Sequence, residues 1–123
     1  MIQIQTILKP ADNSGIKNAR CIKVMKGFNG NNAKIGDIVL TSIQGIRLVR
    51  KIKKGELFFG IIVRTSKENI YKDGSYTKFK TNSIVLLNKS QRILSSNIFG
   101  PISKNLRKKK LMRLIIIAAY NII

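Results

Sequence analysis

Hydrophobic and polar positions change character along this chain. Two short apolar runs, residues 61–63 and 84–87, are largely β-branched and uninterrupted. Runs of that length and type read as strands inside a sheet core. Asp73-Gly74 between them is a hairpin signal, because Gly at the second turn position accepts positive φ without a Cβ clash. The arms of this hairpin outrun the apolar runs. Residues 64–82 are mostly polar or basic and include Arg64, Lys67, Lys72, Lys78 and Lys80. The pattern predicts a ribbon with its base in a core and a cationic tip that meets something anionic.

Before this stretch the pattern is mostly alternation. Ile2, Ile4 and Thr6 alternate with Gln3 and Gln5, which predicts a half-buried strand. Residues 10–15 gather turn-formers. Residues 20–26 predict a second strand, with Ile22 and Val24 on one face and Lys23 on the other. Lys34-Ile-Gly-Asp37 predicts a turn entering a third strand, and Lys53-Lys-Gly-Glu56 repeats that design ahead of Leu57-Phe-Phe59. Between the two turns, residues 47–54 carry five cations in eight positions. Arg47 and Arg50 are interleaved there with Leu48, Val49 and Ile52, the pattern of a docked segment.

After Asn88 the character changes again. Ile98-Phe-Gly-Pro101 predicts a turn. Ser103 is placed to cap a short helix whose apolar face is Ile102 and Leu106. Arg107, Lys108, Lys109 and Lys110 load the end where cations suit the helix dipole. A second helical stretch is expected over 111–119, burying Met112, Ile115, Ile116 and Ala119. Strands first and short helices last point to a mainly β protein, a small closed barrel with a C-terminal helical cap. The expected organisation is a single domain over 1–123, with the barrel and ribbon in 1–95 and the helical part in 96–123.

Charge sharpens this picture most. Of the 123 residues, 24 are Lys or Arg against 5 Asp or Glu, a net charge of +19. Self-repulsion of that size opposes compaction unless a polyanion supplies counter-charge. One cysteine and no histidine exclude a disulfide framework, Cys/His zinc spacing and a His-based triad. Cys21 reads as a packed strand residue. The five carboxylates, Asp12, Asp37, Glu56, Glu68 and Asp73, form no acid/base couple and no metal set, so neither an enzyme nor a cofactor is expected. Ser14 near Asp12 reads as a backbone-bonded turn. Among the aromatics, Phe58, Phe59 and Phe99 are expected in the core, and only Tyr71 and Tyr76 as stacking surfaces. That scarcity favours recognition of folded RNA through phosphates and 2′-hydroxyls. No signal or transit peptide is expected, nor a spanning helix. Heavy use of Ile, Lys and Asn hints at an A/T-rich genome.

Gly60-Ile-Ile-Val63, nine residues, Asp73-Gly74, four residues, Phe79, two residues, Asn82, two residues and Val85-Leu-Leu87 together resemble the signature of the universal large-subunit ribosomal protein number fourteen family, bacterial and organellar type. Ala11-Asp-Asn-Ser-Gly15, Cys21-Ile-Lys-Val24, Ile98-Phe-Gly-Pro101 and Leu106-Arg107 extend the resemblance over nearly the whole chain. The chain departs from the family pattern at 45–50, which lacks the family's Pro, and at Ala119, where the family has one. The resemblance implies a five-stranded barrel with a protruding β-ribbon and short C-terminal helices. It implies a structural constituent of the large subunit at the intersubunit interface. Its partners would be large-subunit rRNA, small-subunit rRNA at bridges and a neighbouring protein by sheet pairing; a ribosome-silencing factor is a further candidate. RNA contact would fall to Lys23, Arg50, Lys51, Lys53, Lys54 and Arg64, joined by Lys17, Arg20, Lys67, Lys78, Arg107, Lys108 and Lys109. Bridge candidates are Gln44, Arg47, Val49, Asn97 and Arg113. The expected location is an organelle-encoded mitochondrial ribosome, with a plastid or an A/T-rich bacterium as alternatives. Two other functions fit parts of the pattern. Charge and barrel alone suit a free RNA chaperone or translation-factor-like barrel, and the basic-then-apolar end suits a membrane-surface protein.

Overall fold

A computed structural model describes residues 1–26, 30–47, 52–107 and 111–118. Seven strands come first: β1 (Ile7–Pro10), β2 (Ile16–Val24), β3 (Ile38–Ile46), β4 (Leu57–Arg64), β5 (Asn69–Ile70), β6 (Tyr76–Thr77) and β7 (Ser83–Leu87). A 3-10 turn over Lys104–Leu106 and helix α1 (Met112–Ile117) follow. Five strands close a barrel in the order β1-β2-β3-β4-β7. Every pairing is antiparallel except the closing one, where β1 and β7 run parallel with Lys9 opposite Ser83 and Pro10 opposite Ile84. β5 and β6 form a separate two-stranded ribbon.

The uninterrupted apolar runs have a simple cause. Side chains alternate across a strand, so a strand apolar at every position needs a core on each side. Ile62, Ile84 and Leu86 point into the barrel beside Leu8, Ile16, Ala19, Cys21, Val39 and Ile43. Ile61, Val63, Val85 and Leu87 point outward into a second core built with Ile98, Ile102, Leu106, Leu114 and Ile115. Each large aliphatic side chain so buried contributes roughly 1.5–3 kcal/mol over leaving it exposed. The C-terminal segment thus roofs the outer face of β4 and β7. Ser103 caps the 3-10 turn as expected, its Oγ accepting from the Asn105 N–H at 3.3 Å.

The repeated turn design is real at the level of hydrogen bonds. The Gly36 N–H donates to the Ile62 carbonyl (2.7 Å), and the Ile62 N–H returns a bond to the Asp37 carbonyl (3.1 Å). The Gly55 N–H donates to the Ile43 carbonyl (2.8 Å), and the Ile43 N–H donates to the Glu56 carbonyl (3.0 Å). Both glycines have φ near the same positive value, 86° and 88°. Each turn therefore clips onto the middle of a barrel strand.

Four expectations about strands, helix face and core need correction. Residues 3–6 are not a strand: Ile2 bridges Ala33, Gln5 takes φ 75°, and Ile4 is exposed, so the first barrel strand starts at Ile7. Ile22 is exposed rather than buried with Val24, because the register slips between Cys21 and Lys23 and a bulge turns the side chain over. Met112 and Ile116 are exposed, and the buried face of α1 is Leu114, Ile115 and Ala118; Ala119 lies outside the described residues. Phe99 is exposed as well.

Candidate nucleic-acid interface

The barrel has a wall roofed by the C-terminal segment and an open wall on which β2 presents cations. On β2 the outward positions Lys17, Arg20 and Lys23 are all exposed. Cross-strand register sets Arg20 opposite Ile7 of β1 and Ser42 of β3, and Lys23 opposite Leu40. Lys53 and Lys54 are exposed on the clipped turn before β4, so the same bonds that hold Gly55 to Ile43 fix where these two cations stand. Arg47 is exposed at the end of β3, with its backbone N–H on the Gly15 carbonyl at 2.9 Å. Gln44 is half-buried, and its amide donates to the Ser42 hydroxyl at 3.4 Å.

The ribbon carries Lys67 and Lys78, both exposed, as are Lys72 and Lys80. Its turn is stitched by Asp73, whose Oδ1 accepts from the Ser75 hydroxyl (2.6 Å) and backbone N–H (3.2 Å), with Gly74 at φ 85°. Tyr71 is not a stacking surface: it is half-buried, with its hydroxyl 2.7 Å from Thr77 Oγ1 and 3.1 Å from Ser103 Oγ. That pair of contacts moors the ribbon to the C-terminal segment. Tyr76, by contrast, is strongly exposed opposite the still more exposed Ile70.

Arg64 departs from the simple picture of a surface phosphate ligand. It is half-buried at the end of β4, and its Nε lies buried with no hydrogen-bond partner among the described residues. Burial pushes its guanidinium below its ordinary pKa. Its Nη1 lies against Gly100, at the place a Cβ would occupy. Of the other expected residues, Asn97, Arg107 and Arg113 are exposed. Val49, Arg50, Lys51, Lys108 and Lys109 lie outside the described residues.

Asp12 and Asp37 are tied into turns of the barrel. Asp12 is buried; its Oδ1 accepts from the Ser14 hydroxyl (2.6 Å) and N–H (3.3 Å), and its Oδ2 accepts from the Leu86 N–H at 3.0 Å. This carboxylate is structural, as the turn reading expects. Asp37 accepts from the Lys34 N–H at 2.7 Å and pairs with Lys26 at 2.9 Å. Crowding of like charge is visible at the N-terminus: partial burial lowers the Met1 amine pKa, and Lys67 and then Lys34 lower it further. Among the described residues no three His, Cys, Asp or Glu side chains gather as a metal set, and no helix is long and apolar enough to cross a membrane.

Sequence reasoning missed Phe99, which projects from its turn into a groove with Lys9, Lys17 and Arg47. The following Gly100-Pro101 was the available signal, since a Gly-Pro turn sits at a surface.

A closed five-stranded barrel with exposed cations along β2 and on the clipped turn before β4 defines the class, a small basic β-barrel protein. The family model for ribosomal protein L14p/L23e matches residues 1–122, and the chain belongs to that family. It is accordingly a structural protein of the large ribosomal subunit.

Proposed function

We propose that the chain, acting as one folding unit over 1–123, binds large-subunit rRNA through its open barrel wall and ribbon. The observation that carries this is directional: Lys17, Arg20, Lys23, Lys53, Lys54, Lys67 and Lys78 face solvent, while Asp12 is turned to the interior. With 24 basic residues and 5 acids, internal pairing cannot neutralise the chain. Rigid strands and clipped turns hold these cations in place, which suits recognition of folded RNA by shape and backbone.

Two further surfaces belong to the same reading. Among the described residues each ribbon strand pairs only with the other, which leaves an outer edge open beside the exposed Ile70–Tyr76 pair. An open edge with an apolar face suits strand addition by a neighbouring large-subunit protein. Arg113 on α1 lies among the exposed Met112 and Ile116, and with Asn97, Gln44 and Arg47 it supplies the bridge surface toward small-subunit rRNA. A ribosome-silencing factor would use the apolar part of that surface. The Ile-, Lys- and Asn-rich composition supports an organelle-encoded mitochondrial chain.

The test is titration of purified protein with large-subunit rRNA over a range of salt. Changing Lys17, Arg20 and Lys23 together to Ala should weaken binding and flatten the log–log salt slope by about 0.7–0.9 for each phosphate left without its cation. An unchanged slope would remove β2 from the interface. Exchange on and off ribosomes in step with initiation, in place of stable co-sedimentation with large subunits, would favour a free RNA chaperone or translation factor.

A further inference from the structure

A groove of about 550 Å³ opens where β1, the start of β2, the end of β3 and the 98–101 turn meet. Lys9, Lys17 and Arg47 line it, together with Ile7 and Phe99. All three cations are exposed, and Phe99 is 57% exposed although it is one of the larger apolar side chains in the protein. A large aromatic left in water beside clustered positive charge calls for an explanation.

The backbone beneath Phe99 is held from three directions. Its N–H donates to the Ala11 carbonyl at 2.6 Å. The preceding Ile98 bridges Asp12 and is itself buried. The following Gly100 takes φ 79° and lies against the Arg64 guanidinium, which leaves no space for a Cβ. The ring is therefore displayed from a fixed platform, so little ordering remains to be done when something stacks on it. Asp12 also borders the groove, but both of its oxygens accept bonds from Ser14 and Leu86, directing its charge inward. Single-strand binders combine these two elements, an aromatic face for a base and cations that follow the backbone.

The geometry points to a subsite for one unstacked nucleotide, its base against Phe99 and its flanking phosphates against Lys9, Lys17 and Arg47. The subsite rests on the RNA-binding reading and deepens it, adding a bulged or looped-out base to recognition of helical backbone. An acidic peptide would satisfy the cations and leave the ring without a planar partner.

Two RNA probes separate the subsite from general binding: a short duplex carrying one bulged 2-aminopurine, and the same duplex fully paired. The full-length protein should bind the bulged duplex about tenfold more tightly and quench its fluorescence. Phe99→Leu should remove the quench and the preference and keep affinity for the paired duplex. Phe99→Trp should retain both, which distinguishes stacking from a structural role, with circular dichroism confirming the fold of each variant. Equal binding of both probes with no quench by the native protein would overturn the subsite and leave RNA binding standing. Persistence of the quench in Phe99→Leu would overturn it equally. Binding of neither probe would overturn the RNA reading, and the subsite with it.

Discussion

The wall formed by β4 and β7 and the wall formed by β2 belong to one barrel but solve opposite problems. β7 is buried at all five positions, because its outward residues Val85 and Leu87 meet the C-terminal segment while Ile84 and Leu86 fill the interior. β2 buries Ile16, Ala19, Cys21 and Val24 and exposes Lys17, Arg20 and Lys23. The same backbone geometry thus serves attachment of the chain's own tail on one side and presentation of charge on the other. The lesson is that strand patterning reports how many faces are covered. Continuous apolar runs mark the wall the molecule covers itself, and alternation with cations marks the wall left open.

The largest expected effect tests whether the two cores are equivalent. Leu86→Ala empties a fully enclosed site inside the barrel and should cost toward the upper end of ~2–5 kcal/mol in urea unfolding. Leu114→Ala lies under the short C-terminal helix, which can settle into the space, and should fall toward the lower end of ~2–5 kcal/mol. Equal costs would mean the roof is as rigid as the barrel. Next comes Asp12, which ties the β1–β2 turn to β7. Asp12→Ala strands the buried Leu86 N–H and should cost about 1–3 kcal/mol, and a negligible change would show that the walls need no such tie.

Smaller still is the stability effect of removing charge from the open wall. The combined Lys17, Arg20 and Lys23 to Ala variant should stay within about 0.5 kcal/mol per site of the native protein, in contrast to the flattening of the salt slope expected of it. A substantial drop would show that these side chains pack rather than present charge. The smallest effect is alkaline. Burial pushes the Cys21 thiol above its ordinary value near 9.0. The unfolded chain therefore ionises first, so stability falls as pH rises through that value toward the higher folded one. Cys21→Ala should lack this part of the decline, read as a shallower drop in urea midpoint between neutral and alkaline pH.

Much of this was legible in the residues. The uninterrupted runs at 61–63 and 84–87, the Asp73-Gly74 turn and the paired Lys-x-Gly-acid turns all reflect local rules, and the structure follows them. Failures came where one residue's offset or a distant contact decides the outcome. The bulge after Cys21 rotates Ile22 out, and alternation cannot announce an extra residue. Residues 111–118 are apolar at every position but Arg113, so periodicity could not pick the buried face of α1. Tyr71 bonds to Ser103, 32 residues on, and Phe99 is propped by Ala11 and Arg64, partners no local pattern reveals. The exposed cations of the candidate interface were legible one by one, while the neighbours that strand register gives Arg20 and Lys23 were not.

The parallel seam between β1 and β7 has a consequence for synthesis. Its two halves are Lys9–Pro10 and Ser83–Ile84, so most of the chain must emerge before the cylinder can shut. Pairings so distant in sequence form late and slow the search for the native state. Until that seam zips, the interior around Leu8, Ile84 and Leu86 has no closing wall and stays open to water.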